Sequence, residues 1–301
     1  MSLSHSRDAI DPGFVLLDLA AGAAQPGGWL DSETRSDMKR FVDEGGLSLL
    51  DPAESWPYLA KGLMGEQPSR MFAALRDCAA LARLLPEVDA LFGRFQSADE
   101  SEQVDIGEHQ WRVLDQTASC HAALPVRFAA LLFNLGKADS PPQHLPTHYR
   151  HVDRCLPRIE AICARFQVAP ELRELALLVA EELERVHRAA PMRAASITAL
   201  LERVDAFGRH GRYLDLLKVC ACDYAAYQGN EGKTYPKTAL LERAREACLQ
   251  ADREIEAGEA SGDPACRHEL RAIAVAGALR SERWAEEGAV YRSVVTTQKN
   301  G

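Results

Sequence analysis

The side chains whose types and spacing could do metal chemistry lie between residues 131 and 151. The stretch LLFNLGKADSPPQHLPTHYRH ends an apolar segment, turns at a Pro-Pro pair, and then places His148 and His151 three residues apart. Residues at that spacing share one face of a helix, so both imidazoles are expected to face the same way. The apolar segment carries Phe133 and Asn134 just before Leu-Gly-Lys, however, and neither a phenyl ring nor a neutral amide is a strong ligand.

The composition is that of a soluble globular protein. Of 301 residues, 47% are hydrophobic and 26% are charged, and no apolar run approaches the roughly 20 residues needed to cross a bilayer. The N-terminal segment has a short apolar patch interrupted by Asp18, with no basic residues leading directly into it, which does not predict a signal peptide. We therefore expect a cytoplasmic protein with no membrane partner.

The net charge limits the classes of binding partner. At −9 it argues against a wholly basic surface of the kind that binds nucleic acid without specificity, and no DNA partner is expected. A local basic face remains compatible with this charge.

The eight cysteines do not predict a disulfide scaffold in a chain of this length. Cys220 and Cys222 are close together, but a Cys-x-Cys pair without further clustered cysteines is a weak zinc signal. The others that fall inside helical patterns are predicted to pack as small apolar side chains; they are Cys78, Cys120, Cys155, Cys163 and Cys248.

Almost every periodic segment of the chain predicts helix rather than strand. Apolar residues recur at three- and four-residue spacing in segments separated by Pro, Gly or polar breaks, and no convincing alternating strand is present. One helix start is well marked: Asp51 is placed as N-cap, Pro52 at the first helical position and Glu54 at the capping-box position. The sequence therefore predicts an all-α fold.

Several separated blocks carry a resemblance to a known family. They are QPSRMFAALRDCAALARLLPEVDALFG, VDIGEHQWRVLDQ, PVRFAALLFNLGKADSPPQHLPTHYRH, LRELALLVAEELERVHRA and LLERVDAF, with a later Tyr-Pro pair. In this order, from roughly residue 36 to 282, they resemble the C-terminal half of bacterial tRNA nucleotidyltransferases, the CCA-adding enzymes that carry an HD domain.

The resemblance implies an HD-domain-like helical bundle with flanking helices. The corresponding divisions are an N-terminal segment of uncertain order at 1–30, a helical neck or body at 31–95, a degenerate HD-like domain at 96–190, a helical tail at 191–287 and a C-terminal tail at 288–301. The family's nucleotidyltransferase head holds Mg²⁺ with an Asp-x-Asp pair, which this chain does not contain. CCA addition by this chain alone is therefore not expected.

The resemblance also implies an altered metal site. The family pattern is a first His, a His-Asp pair ahead of Leu-Gly-Lys, and a later His after a helix containing Leu-Val-Ala. His109 matches the first position, whereas the pair falls on Phe133 and Asn134 and the later histidine falls on Leu183. We expect no catalytic residues at these positions and no cofactor.

Two functions remain as alternatives to the RNA-binding function that is predicted first. His109, His148, His151 and His187 match family histidines, and a three-histidine site suits zinc, so a residual metal-dependent phosphohydrolase is one alternative. Leftover polar histidines, hydrogen-bonded or solvated, are the favoured interpretation because three of the four family ligand positions have changed. A protein-interaction or regulatory subunit with a protein partner is the other alternative.

The function predicted first is a non-catalytic homologue that binds tRNA or another RNA. Basic residues interleaved with tyrosines can contact phosphates and stack on bases. The candidates for phosphate contact are Lys137, Arg150, Arg203, Arg209, Arg212, Lys218, Lys233 and Lys237.

Overall fold

Helices dominate the part of the chain that the structure, a computed structural model, describes. These residues are 11–97, 103–190, 192–259, 263 and 265–280. The predicted all-α fold class is confirmed. The predicted C-terminal tail at 288–301 lies outside the described residues, as do the first ten residues of the N-terminal segment and residues 281–287 of the helical tail.

The chain divides into two compact units. Among the described residues, the first unit contains 11–181 and 218–233, and the second contains 182–217 and 234–280. Each unit is therefore built from two separate stretches of chain, which periodicity along the sequence does not reveal. The five-part division drawn from the sequence stays a prediction.

The first unit begins with six helices, of which the first three start at a local aspartate cap. They are α1 (Pro12–Ala23), α2 (Ser32–Asp43), α3 (Pro52–Leu63), α4 (Pro68–Asp77), α5 (Leu81–Leu84) and α6 (Pro86–Asp89). The predicted start at Asp51 is confirmed: its carboxylate accepts the Ala53 N–H at 2.8 Å, and Pro52 is the first helical residue. Asp11 caps α1 in the same manner, and Asp31 caps α2 by accepting the Thr34 N–H at 2.6 Å.

A short antiparallel hairpin follows, formed by β1 (Phe95–Ser97) and β2 (Gln103–Asp105). Strands of three residues are too short to display an alternating pattern, which is why no strand was predicted. The hairpin leads directly into α7 (Ile106–Ser119), where Asp105 is the N-cap and accepts the Glu108 N–H at 3.0 Å.

The segment around Leu-Gly-Lys packs tightly in the first unit. It follows α8 (Leu124–Leu132), forms the 3₁₀ turn Leu135–Lys137 and packs against α9 (His151–Arg165). A side chain at Gly136 would collide with the His151 carbonyl oxygen and the backbone of Cys155, so this close approach requires glycine. The next helix, α10 (Pro170–His187), begins in the first unit and ends in the second.

The second unit is also helical. It contains α11 (Ala194–Arg203), the start of α12 (His210–Ala225), α13 (Pro236–Glu254), the π-helical turn Ile255–Glu259 and α14 (265–280). Within this unit Arg271 donates to Asp252 at 2.7 Å and to Glu202 at 2.9 Å, linking α14 to α13 and α11. The remainder of α12, from Lys218, belongs to the first unit.

Candidate functional site

His109 lies near the start of α7 with its side chain fully buried. Its Nε2 is 2.8 Å from Asp223 Oδ1, and the Tyr227 ring lies against the imidazole with the ring centroids 4.3 Å apart. A carboxylate facing Nε2 favours the tautomer that carries its proton on that nitrogen. The other nitrogen, Nδ1, is buried and has no hydrogen-bond partner.

Phe133 and Asn134 follow α8 and are both buried. Asn134 Nδ2 donates to Gln110 Oε1 at 2.9 Å, and Gln110 donates its own amide to the Ala130 carbonyl oxygen. Because Gln110 uses its donor on the backbone, its oxygen is the atom left to face Asn134. The Asn134 amide is therefore oriented with N–H toward Gln110, and its Oδ1 is buried without a partner.

These side chains do not fit the divalent metal that the resemblance implies. A metal needs lone pairs, preferably with anionic charge. Phe133 has none to offer, Asn134 presents one neutral oxygen, and His109, whose Nε2 faces Asp223, retains a single neutral lone pair on Nδ1. Across the described ranges, no group of three or more His, Cys, Asp or Glu is arranged to hold an ion.

His148 and His151 do not form the shared helix face that their spacing predicted. The prediction was wrong because α9 begins only at His151, and His148 lies before it with a positive φ of 52°. His148 Nε2 is 2.8 Å from the Phe95 carbonyl oxygen and Nδ1 is 2.8 Å from Ser140 Oγ, while His151 Nδ1 is 3.2 Å from the His148 carbonyl oxygen. Both imidazoles therefore hold the loop to the hairpin and to its own backbone.

The other two sequence candidates, Leu183 and His187, belong to the second unit. Leu183 is buried, as expected of a side chain that packs rather than coordinates. His187 Nδ1 is 2.7 Å from the Tyr235 hydroxyl oxygen, and the two rings meet edge to face. His187 therefore has a specific structural partner in its own unit.

A polar chain that sequence reasoning missed begins at Tyr227, the residue whose ring lies against His109. Tyr227 accepts from Gln96 Nε2 at 2.9 Å, and Gln96 Oε1 accepts from Lys137 Nζ at 2.8 Å. Lys137, a predicted anion contact, thus holds β1. The available signal was Asp223, a carboxylate within the otherwise apolar helical stretch VCACDYAAY, which points to a buried partner.

The remaining basic candidates are divided between the two units. In the first unit, Lys218 and Lys233 are exposed, and Arg150 is exposed but pairs with Asp153 at 2.6 Å. In the second, Arg203 pairs with the buried Glu182 and Arg212 donates to the Val204 carbonyl oxygen at 3.3 Å. The other two candidates of that unit are Arg209, which is exposed, and Lys237, which is half-buried.

Comparison with known proteins decides the relationship. No protein-family model matches the chain. The multifunctional CCA protein of Burkholderia multivorans (strain ATCC 17616 / 249) is 41% identical over 285 residues, which cover 91% of this chain and 68% of that protein. The chain belongs to the multifunctional CCA protein family.

Other members of the multifunctional CCA protein family show similar identity. That of Burkholderia mallei (strain SAVP1) is 42% identical over 251 residues, 82% of this chain and 61% of its own length. That of Cupriavidus pinatubonensis (strain JMP 134 / LMG 1197) is 44% identical over 220 residues, 73% of this chain and 53% of its own length. The resemblance found from the motifs is confirmed, and the chain spans about three fifths of the length of the curated relatives it matches.

None of the helices in the described ranges of this CCA-family chain is long and apolar enough to span a membrane.

One cysteine differs from its prediction. Cys120, predicted to pack as a small apolar side chain, is exposed because it lies at the C-cap of α7. Its sulfur approaches that of Cys222 rather than packing in the core.

Proposed function

We propose that this chain is a non-catalytic member of the CCA family that binds tRNA or another RNA. The observation that carries the proposal is the state of the family's His-Asp position. There Phe133 is buried, and Asn134 is fixed by donating an N–H to Gln110. An amide held as a donor does not act as the anionic ligand that metal-dependent phosphohydrolysis requires.

The first family position supports the same proposal. His109 keeps its imidazole, but Asp223 accepts from Nε2 and Tyr227 covers the ring. The side chain is fully buried. It therefore stabilises α7 against the 218–233 segment, and its one remaining lone pair, on Nδ1, is buried away from solvent.

RNA binding rests on the family relationship together with the exposed lysines of the first unit. Lys218 and Lys233 stand at the two ends of the 218–233 segment, and among the described residues neither ammonium group has an ion-pair partner. Ammonium groups that are not committed to a carboxylate can release counterions from a phosphate backbone. With a net charge of −9, such binding must be local and sensitive to salt.

The test is a fluorescence-anisotropy titration of the full chain with labelled tRNA, in EDTA, at low and at moderate salt. We expect saturable binding that weakens as salt rises. A Lys218→Ala/Lys233→Ala variant should bind more weakly and show a salt slope shallower by about one unit for each phosphate that its lysines no longer neutralise.

The matched control is Lys39→Ala/Lys61→Ala, which removes two lysines already paired with Asp43 and Asp18. This variant should bind like the wild type. Absence of binding at low salt contradicts the RNA-binding half of the proposal. Phosphodiesterase activity that depends on a bound metal contradicts the non-catalytic half.

A further inference from the structure

Two cysteines far apart in the sequence meet in the first unit. Cys120 Sγ and Cys222 Sγ are 3.7 Å apart, although 102 positions separate the residues along the chain. This is van der Waals contact between two free thiols. A disulfide bond is about 2.05 Å long, so closing it requires a relative movement of about 1.7 Å.

The two thiols differ in their freedom to make that movement. Cys222 is buried within α12, whereas Cys120 is exposed at the C-cap of α7 and is followed by His121, which turns the chain with a φ of 52°. Helix ends adjust more readily than buried helix interiors because their last carbonyl groups are not tied into the helix. The exposed thiol can thus approach the buried one with little change to the core.

A fixed positive charge lies beside the pair. Burial lowers the pKa of Arg127, and the ionised forms of Cys120 and Cys222 act in the opposite direction. The guanidinium is immobilised because it donates to the Ala122, Leu63 and Gly65 carbonyl oxygens at 2.7–2.8 Å. Arg127 is therefore a fixed neighbour of the two sulfur atoms.

The order of attack follows from solvent access. Burial, followed by the neighbouring Cys120, raises the pKa of the Cys222 thiol. Cys222 is therefore the poorer first nucleophile, and a soluble oxidant cannot reach it directly. Cys120 is exposed, so a soluble oxidant can reach it and it reacts first.

We propose that Cys120 and Cys222 form a reversible intramolecular disulfide when the protein meets a low-molecular-weight disulfide. The Cys120 thiolate attacks glutathione disulfide, giving a mixed disulfide and one released glutathione. Cys222 then loses its proton to the solvent and attacks the Cys120 sulfur, which expels the second glutathione. Two protein thiols are oxidised by two electrons and one glutathione disulfide is reduced to two thiols.

The bond would join the two segments that hold His109. Cys120 ends the helix that carries His109, and Cys222 directly precedes its partner Asp223. Cross-linking residues about a hundred positions apart restricts the unfolded chain, so oxidation should raise the stability of the first unit. This inference is independent of RNA binding.

The experiment is peptide mapping of the full-length chain after incubation with glutathione disulfide. Remaining thiols are alkylated, and the chain is digested with trypsin without reduction. Cleavage gives peptide 113–127, which contains Cys120, and peptide 219–233, which contains Cys220 and Cys222. We expect the two peptides to be linked, with the loss of two hydrogens, in a chain that runs as a monomer on a non-reducing gel.

Matched variants decide which cysteine of the second peptide reacts. Cys222→Ala should abolish the link, whereas Cys220→Ala, two residues away on the same buried helix, should preserve it. The urea midpoint of the wild type should rise on oxidation, and that of the exposed-site variant Cys120→Ser should not. A link that survives Cys222→Ala, a stable glutathione adduct at Cys120 in the wild type, or a disulfide between chains would overturn the proposal.

Discussion

At the scale of single residues, the hydrogen bond that Asn134 donates to Gln110 predicts how the variant Asn134→Asp changes stability. In Asn134→Asp a carboxylate oxygen would replace the amide N–H and face Gln110 Oε1 in a buried position. We expect destabilisation by roughly 3 kcal/mol at neutral pH, since a buried charge would lack a donor. Burial should raise the pKa of the new carboxyl above about 3.9, so the loss is smallest at acidic pH and grows as the pH rises through the raised value.

Urea unfolding of wild type and Asn134→Asp at acidic and neutral pH measures this effect. Gln250→Glu, the same change on the exposed face of α13, should alter stability by less than about 0.5 kcal/mol. A variant as stable as the wild type at neutral pH would show that Asn134 does not act as the donor.

The sequence predicted which side chains of this site are poor metal ligands, but it did not predict which residues they contact. The sequence shows that Phe133 and Asn134 are poor ligands because that follows from their side chains alone. Gln110, Asp223 and Tyr227 were missed because their roles depend on contacts with segments that lie far away in the chain.

At the scale of elements, α4 is capped from another helix. Its N-cap residue, Gln67, makes no side-chain cap bond; instead Asp115 of α7 accepts the Ser69 N–H at 3.1 Å and the Ser69 hydroxyl at 2.7 Å. Asp115→Ala should therefore destabilise the protein by about 1 kcal/mol, the usual loss for a helix cap. Asp43→Ala, which removes only an exposed ion pair, should change stability by less than about 0.5 kcal/mol.

The same carboxylate predicts a pH dependence. Burial raises the pKa of Asp115 above its ordinary value, although the Ser69 donors oppose this shift. A group whose pKa is higher in the folded than in the unfolded chain contributes fully to the free energy of unfolding at a pH below its unfolded-state pKa. That contribution is lost as the pH rises through its pKa in the folded protein. The stability of the wild type relative to Asp115→Asn should therefore fall between about pH 4 and neutral pH; a difference that grows over this range would contradict the assignment.

Helix starts were predictable where the signal is local, as at Asp51, whose cap depends on the next three residues. The hairpin was not, since its strands have three residues each. The placement of His148 outside α9 was also missed, because a spacing of three residues does not indicate where a helix begins. Local rules thus recover the helices but not the connections between them.

At the scale of the whole molecule, the family relationship and the site geometry point in different directions. The chain is 41–44% identical to multifunctional CCA proteins over most of its length. The positions that the motifs match to the family's ligands nevertheless hold a buried phenyl ring, an amide that donates and a fully buried histidine. The ordered motifs predicted the relationship; the sequence could not predict the two-unit division, which depends on contacts between distant stretches.

Metal content tests the central claim most directly. Purified full-length chain would be equilibrated with Zn²⁺, Ni²⁺ or Mn²⁺, dialysed and analysed for bound metal beside His109→Ala and the exposed-site control His121→Ala. Because the side chains of His109, Phe133 and Asn134 do not fit a metal, we expect no stoichiometric metal in any of the three proteins. One ion per chain in the wild type and in His121→Ala, absent from folded His109→Ala, would contradict it and return the metal-dependent phosphohydrolase to the alternatives to be assayed.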